Sequence, residues 1–154
     1  MTDPTLPSAT PAFLNHDRPP VPDIVVPRGV QPFHLHLRPV RGRLVRLGPL
    51  AEALLGRHAG QHPVVLGLMG QAMALTAALA TALKFRGSFS LQAKGDGAVP
   101  MLLADCTEAG ALRGYARAEP EKLATLLAGT EAAAAAALLG GGCLAFTCDQ
   151  GPDM

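Results

Sequence analysis

Three carboxylates in the middle of the sequence are the first candidates for chemistry. Asp96, Asp105 and Glu108 lie near one another in the chain, and paired carboxylates can serve as a general acid and a general base. Each of them, however, lies in or beside a predicted turn, where Asp and Glu are ordinarily solvated or cap the backbone. A hydrolase or transferase that uses Asp96 or Asp105 is one hypothesis, and it requires a pocket that spacing alone does not show.

The stretch Gly95-Asp96-Gly97 could cradle a phosphate, form the tip of a hairpin or mark a family. A dinucleotide-binding fingerprint requires a further glycine and a following helix, and a P-loop requires a lysine. Neither pattern follows Gly97. The stretch is therefore predicted to be the turn that joins two antiparallel strands.

Cysteines and histidines test the sequence for a redox or metal site. In a straight strand, the spacing of Cys143 and Cys148 puts them on opposite faces and roughly 16 Å apart, too far for one disulfide or one tetrahedral metal site. We therefore predict that both are core thiols, and we predict the same for Cys106 at the end of an apolar strand. His34 and His36 would project from one face of a strand, but no third ligand is near them, so no metal site is predicted in this chain.

Composition and charge narrow the classes of function. The chain has 154 residues, enough for one domain with a core of its own. Thirteen basic and twelve acidic side chains, with one Tyr and no Trp, offer neither a basic footprint for phosphate backbones nor stacking platforms for bases, so no nucleic-acid partner is expected. The sequence does not open on a basic cluster followed by an apolar segment, which predicts a cytoplasmic protein without a secretory signal.

Residues 1–28 differ in composition from the rest of the chain. Half of the fourteen prolines lie in the first thirty residues, among Thr, Ser, Asp and Asn. Such a segment cannot bury enough apolar surface to offset the entropy of ordering it. We therefore predict a disordered tail over residues 1–28 and one folded domain over residues 29–154.

The folded part is predicted to begin with two strands and a short helix. Residues 33–37 and 40–47 alternate between apolar and polar side chains, as strands with one solvated face do, and Pro39 separates them. Residues 47–58 have the spacing of a short amphipathic helix, with Pro49 in the first turn.

Residues 63–83 contain no charged side chain and allow two interpretations. A helix of this length would be about 32 Å long, which matches a bilayer core, so the chain could be a small membrane-anchored protein. Gln71, Thr76, Thr81 and many alanines make insertion marginal. The other interpretation, which the surrounding strands favour, is a helix from residue 62 to 84 that is buried on all sides within a protein.

The second half of the chain is predicted to be mainly a meander of three antiparallel strands, residues 85–94, 101–106 and 112–117. Helices are predicted over residues 120–127 and 131–139, where the alanine run 132–137 is either a helix or an expanded loop. Residues 140–142 are glycines, which end the second of these helices, and residues 143–148 are predicted to form one more strand. The fold class is α+β, a three-layer β/α/β arrangement with antiparallel strands around a buried apolar helix.

Several ordered blocks of this sequence resemble the redox-regulated heat-shock chaperones of the thirty-three-kilodalton class, which are holdases of bacteria and organelles. The resemblance runs from about residue 30 to the last residue, and residues 140–147 fit a strand of that family. The positions that carry it are Arg41, Gly42, Lys84, Phe85, Gly95, Asp96, Gly97, Arg113, Gly114 and Arg117.

The resemblance implies a chaperone active in the stress response, without enzymatic activity. In this family the amino-terminal domain has helices between sheets, dimerises, often with exchanged elements, and offers apolar surface to unfolded client proteins under oxidative stress. We accordingly expect a homodimer with unfolded proteins as partners, and no membrane contact. The candidate client-binding residues around the meander are Phe85, Phe89, Leu91, Met101 and Leu103.

One module of the family is not recognisable in this sequence. The family's redox switch binds zinc through a CxC and a CxxC motif in a carboxy-terminal domain and forms disulfide bonds under oxidants, and neither motif occurs here. We therefore expect a fragment of a longer protein, with no cofactor in this chain and zinc in the absent carboxy-terminal domain. A strand left unpaired at residues 143–148 would favour pairing with a second copy.

Overall fold

The computed structural model describes residues 29–83, 85–130 and 132–149, and the predicted disordered tail, residues 1–28, lies outside these ranges. The described residues form six strands and four helices. In chain order they are β1 (Gly29–His34), β2 (Arg41–Arg46), α1 (Pro49–Gly56), α2 (Pro63–Ala80), β3 (Ser88–Gly95), β4 (Met101–Thr107), β5 (Leu112–Arg117), α3 (Pro120–Leu126), α4 (Ala135–Leu139) and β6 (Gly142–Asp149).

Strands β1 and β2 form an antiparallel hairpin in which His34 lies opposite Arg41. The backbone N–H of Leu35 donates to the carbonyl of Val40 at 3.0 Å and closes the turn, so the predicted break around Pro39 is confirmed. Strand β1 begins earlier than the alternation of residues 33–37 predicts. The pairing continues through Pro32, and β1 has β2 as its one partner among the described strands, which is the edge position where a strand tolerates proline.

Helix α2 forms the centre of the core. Pro63 occupies the first turn, and the Nδ1 atom of His62 accepts a hydrogen bond from the N–H of Val64 at 3.3 Å, which caps the helix. The hydroxyl of Thr76, a buried polar group, donates to the carbonyl of Ala72 at 2.8 Å. The buried residues of α2 are Val65, Leu68, Met69, Ala72, Met73, Thr76, Ala77 and Ala80.

The packing of α2 answers the question of membrane insertion. By length and composition alone, the helix could cross a bilayer. Five of its buried residues, however, form one cluster with apolar side chains of β3, β4 and β5, namely Val65, Leu68, Met69, Ala72 and Met73, which is the packing of a core helix. The membrane-anchor interpretation is therefore not supported.

Strands β3 to β6 form a four-stranded antiparallel sheet in the order β5-β4-β3-β6. The predicted meander is confirmed, and β6 returns to pair with β3, so that Leu91 lies opposite Phe146. Helix α2 covers one face of this sheet and also contacts β2 of the hairpin, where the Nη2 atom of Arg43 donates to the carbonyl of Thr81 at 3.3 Å. The predicted α+β class, with the apolar helix between strands, is confirmed.

Gly114 in β5 allows α2 to approach the sheet closely. A Cβ atom at this position would lie 2.9 Å from the Sδ atom of Met73 and 3.1 Å from the Cγ atom of Met69. The bare backbone of Gly114 therefore leaves the space that the two methionine side chains occupy. This contact gives one of the resemblance positions a structural role.

Helix α4 is shorter than predicted, since it covers only Ala135–Leu139 and residues 132–134 have no regular structure. The loop alternative is therefore right for the first part of the alanine run. Alanine favours a helix, but a short helix in water is marginal unless it buries an apolar face. In α4 only Leu138 is buried. Its packing therefore stabilises only a short helix of five residues.

Candidate functional site

The turn after β3 packs directly against the turn before β6, and we call these two turns, residues 95–97 and 140–142, the glycine clasp. The Oδ1 atom of Asp96 accepts a hydrogen bond from the N–H of Gly141 at 2.8 Å. A Cβ atom on Gly95 would lie 2.0 Å from the carbonyl oxygen of Leu139, and one on Gly97 would lie 2.4 Å from that of Leu138. The Gly-Asp-Gly stretch thus joins two parts of the fold, beyond its predicted role as a hairpin turn.

The other two candidate carboxylates are also held in structural contacts. Asp105 is buried and forms an ion pair with Arg113 on the neighbouring strand. The Oε2 atom of Glu108 accepts a hydrogen bond from the N–H of Gly87 at 3.2 Å. With Asp96 in the glycine clasp, the three carboxylates lie at three separate places, so the fold does not bring them together as a catalytic pair.

The prediction of three core thiols is right for Cys106 and wrong for Cys143 and Cys148. Cys106 is buried, whereas the other two are exposed. They lie on β6, the last strand in the order of the described sheet, and every residue of β6 is exposed. The register places Cys143 opposite Lys94 and Cys148 opposite Phe89, and hence on opposite faces, as the spacing predicts.

A thiol reagent at neutral pH is expected to label Cys143 and Cys148 rapidly and Cys106 slowly. Burial raises the pKa of the Cys106 thiol, so less of the reactive thiolate is present, and the surrounding side chains also block access. Peptide mass spectrometry after a timed reaction measures the three rates separately. Unfolding in urea should make all three rates equal, and a Cys106 rate equal to that of Cys143 in the folded protein would contradict this assignment.

The described residues do not fit a zinc site. Within these residues there is no group of three or more His, Cys, Asp or Glu side chains that could hold a metal ion. His34 ends β1 and His36 lies in the following turn, and neither is joined by the further ligands that zinc requires. The expectation of zinc in a carboxy-terminal domain therefore stays a prediction about residues that this sequence does not include.

The remaining resemblance positions lie at separate places. Arg41 and Gly42 begin β2, and the ring of Phe33 lies over Gly42, where a Cβ atom would be 2.2 Å from the Cζ atom of that ring. Arg117 ends β5 and is exposed. Lys84 lies outside the described residues.

The five residues predicted to bind clients do not share one surface. Phe89 and Leu91 are 4% and 2% exposed, on the face of the sheet that α2 covers. Met101 and Leu103 are half-buried and lie on the opposite face. Phe85 is half-buried beside Phe89, with the ring centroids 6.3 Å apart. Of the five, only Phe85, Met101 and Leu103 are therefore accessible to a client while the core is intact.

A larger apolar surface lies on the hairpin, where the sequence pattern did not predict binding residues. The register places four half-exposed side chains on one face of β1, β2 and their turn, and the side chain of Leu37 in the turn is 87% exposed. The alternation of residues 33–37 predicts that one face is solvated, but it does not predict that this face is the apolar one. We call this surface the hairpin apolar face; its residues are Phe33, Leu35, Leu37, Val40 and Leu44.

A second apolar surface lies on β6. Leu144 and Phe146 are 55% and 49% exposed, and the ring of Phe146 stacks on that of Phe89 with the centroids 6.1 Å apart. Both side chains point to the same side as Leu91 and Ala93, their partners on β3. Strand β6 therefore extends the apolar face of the sheet beyond the part that α2 covers.

Exposed apolar surfaces of this kind mark sites of protein interaction. The contacts around the three carboxylates and the buried Cys106 hold the fold together, whereas the hairpin apolar face and β6 leave apolar side chains in solvent. The arrangement is suited to binding another polypeptide by burying apolar area, and such binding requires no catalytic group.

Comparison with known proteins agrees with the family resemblance of the sequence. The family model described as "Hsp33 protein" matches residues 29–154. The "33 kDa chaperonin" of Caulobacter vibrioides (strain NA1000 / CB15N) is 45% identical over 125 residues, which cover 81% of this chain and 41% of the relative. Those of Pseudomonas syringae pv. syringae (strain B728a) and Pseudomonas putida (strain GB-1) are each 41% identical, over 110 and 93 residues respectively.

The matches to the two Pseudomonas relatives also cover most of this chain but only about a third of each relative. The matched residues make up 71% of this chain and 34% of the Pseudomonas syringae protein, and 60% of this chain and 31% of the Pseudomonas putida protein. This chain thus spans about two fifths or less of the length of these relatives. Because the family model covers all of the chain from residue 29 onward, the chain belongs to the Hsp33 family.

Proposed function

We propose that the protein is a molecular chaperone of the holdase type, which binds unfolded proteins through the hairpin apolar face. The single observation that carries this proposal is the set of five large apolar side chains that this face leaves in solvent. Unfolded chains expose apolar side chains of their own, so contact between the two surfaces removes apolar area from water. Family membership and the printed name of the relatives, 33 kDa chaperonin, point to the same class of function.

The finer features of the proposal come from the family resemblance. The complete protein is proposed to act in the cytoplasm under oxidative stress and heat shock, with a redox switch that binds zinc and forms disulfide bonds in a carboxy-terminal domain. It is proposed to act without catalysis and without nucleic acid or membrane as a partner. Phe85, Met101 and Leu103 are proposed as a second contact with clients, and Phe89 and Leu91 as contacts that require the core to open.

An aggregation assay tests the holdase function. A client enzyme is unfolded and diluted into buffer, and light scattering follows its aggregation with and without the oxidised complete protein or the chain of residues 1–154. Suppression by the complete protein is the expected result, and suppression by this chain would assign client binding to the residues described above. Unchanged aggregation with the oxidised complete protein would refute the proposal.

We further propose that two copies associate through β6. Within the described residues, this strand pairs with β3 on one side and ends the sheet on the other side, and a strand edge of this kind with exposed Leu144 and Phe146 is a template for another strand. Light scattering combined with size-exclusion chromatography is expected to give the mass of a dimer at micromolar concentration. The N–H of Asp96 donates to the carbonyl of Gly141, and the alternation of an antiparallel ladder therefore directs the N–H of Leu144 away from β3. Replacement of Leu144 by proline should reduce that mass to a monomer, and a monomer for the unmodified chain would contradict this proposal.

A further inference from the structure

We propose that the hairpin apolar face selects client segments that are extended, apolar in the middle and acidic at both ends. This inference rests on the proposed chaperone function and names the class of segment that the same surface binds. It is carried by the position of two exposed arginines, Arg38 and Arg46, at the two ends of the apolar face.

The hairpin is strongly basic over its whole length. Residues 29–51 contain four arginines, Arg38, Arg41, Arg43 and Arg46, and no Asp or Glu. Among the described residues, the ion pairs join Arg113 to Asp105 and Lys122 to Glu119, and none involves a hairpin arginine. The charge of the hairpin is therefore not neutralised within the described part of the chain, and an acidic partner would complement it.

The strand alternation shows on which face of the hairpin each arginine of the two strands lies. Arg46 lies on the same face as Leu44, two residues away, and Arg38 lies in the turn next to Leu37. Arg41 and Arg43 lie on the other face of the hairpin, where Arg43 reaches the carbonyl of Thr81. Only Arg38 and Arg46 therefore bound the apolar face, one at each end.

The separation of these two arginines sets the length of the segment. The apolar face between Arg46 and the turn that holds Arg38 is roughly 20 Å long, which is the span of the six residue steps from Val40 to Arg46 in a strand. An extended client segment of about six residues covers the same distance, with its apolar side chains on Phe33, Leu35 and Leu44 and its terminal carboxylates beside the two guanidinium groups. An arginine can bind a carboxylate through two parallel hydrogen bonds, which adds geometric selectivity to the charge attraction.

A polypeptide fits this surface better than other anionic partners do. Proteins that bind single-stranded nucleic acid combine basic side chains with aromatic side chains on which successive bases stack, and Phe33 is the one Phe, Tyr or Trp of the hairpin, residues 29–46. The other four side chains of the face are aliphatic and match the aliphatic side chains of an unfolded protein. Two charges at the ends of an apolar stripe also select a segment of defined length, which a vesicle surface does not offer.

Two labelled peptides test this inference by fluorescence anisotropy. Both have four apolar residues, flanked by one glutamate at each end in one peptide and by one glutamine at each end in the other. We expect the glutamate peptide to bind about tenfold more tightly at low salt, and this preference should shrink at about 1 M salt, where charges are screened beyond about 3 Å. Replacing both arginines (Arg38→Gln and Arg46→Gln) should remove the preference.

Arg41→Gln combined with Arg43→Gln is the matched control, because it removes the same charge from the opposite face. It should keep the tenfold preference, and a loss equal to that of the Arg38 and Arg46 variant would refute the assignment to the apolar face. Equal affinity of the unmodified chain for the two peptides would refute the selectivity while leaving the chaperone function intact. Failure of the chain and of the oxidised complete protein to bind either peptide would count against the proposed function itself.

A photo-crosslinker in place of Leu44 identifies the occupant directly. We expect it to label the glutamate peptide, and unlabelled peptide should compete. Crosslinks to a second copy or to another segment of the complete protein that excess peptide does not displace would overturn the inference, because the face would then be covered by the protein itself. Stronger competition by phosphatidylserine vesicles or by single-stranded RNA than by the peptide would also overturn it.

Discussion

Replacing Gly95 by alanine is expected to lower the free energy of unfolding by about 3 kcal/mol. The new Cβ atom would lie 2.0 Å from the carbonyl oxygen of Leu139, and this oxygen belongs to the backbone and cannot turn aside as the end of a flexible side chain can. The β3 and β6 turns must therefore separate, which also strains the hydrogen bond between Asp96 and Gly141. At about 3 °C per kcal/mol, the melting temperature should fall by roughly 9 °C.

Gly142 and Gly67 provide the comparison for this experiment. A Cβ atom on Gly142 would lie 2.0 Å from the carbonyl oxygen of Lys94, so Gly142→Ala should cost about as much as Gly95→Ala. Gly67 lies in α2 with nothing within 4 Å of a Cβ atom, and Gly67→Ala should raise stability by about 0.5 to 1 kcal/mol. Thermal and urea unfolding measure all three variants, and a stable Gly95→Ala variant would show that the glycine clasp is not needed.

Replacing Leu35, Leu37 and Val40 together by serine is expected to weaken client binding at least about tenfold. These side chains are 47%, 87% and 47% exposed, and their contact with a client would remove apolar area from water. A loss of about 1.4 kcal/mol in binding free energy corresponds to a factor of ten, and burying one leucine side chain contributes about this much. The assay is the suppression of client aggregation, measured as the chaperone concentration that gives half protection.

A control that also replaces three exposed aliphatic side chains by serine separates this effect from a general loss of apolar surface. Leu50, Leu75 and Leu83 are 44%, 45% and 50% exposed and do not belong to the hairpin apolar face. Their replacement by serine should leave protection within about twofold of the unmodified chain, and both triple variants should keep the helical content of the parent by circular dichroism. Equal loss of protection in the two triple variants would contradict a specific role for the hairpin apolar face.

The sequence was informative about elements whose signals are local. The alternation in β3 and β4, the uncharged run that forms α2, and Pro120 at the start of α3 predicted elements that the structure contains. The ends of these elements were less well predicted, because the last residues of a helix or strand depend on packing and capping. The alanine run is the clearest case, since its helix propensity extends over residues 132–137 but α4 begins only at Ala135.

The candidate site was much less predictable than the elements. Phe89 and Leu91 have the apolar character of binding residues, yet they are buried, whereas the exposed apolar side chains of the hairpin looked like ordinary strand residues. The same difficulty explains the error on Cys143 and Cys148. Apolar residues occur both in cores and at interfaces, so their chemistry does not distinguish the two places.

By itself, the sequence determined the α+β class, the central apolar helix, the antiparallel meander and the family blocks, because hydrophobic period, turn residues and ordered motifs are all properties of neighbours along the chain. Only the tertiary structure decided that β6 returns beside β3, that residues 95–97 meet residues 140–142, and which face of the hairpin is left in solvent. These contacts join residues far apart in the sequence, and whether a side chain is covered depends on every element packed around it.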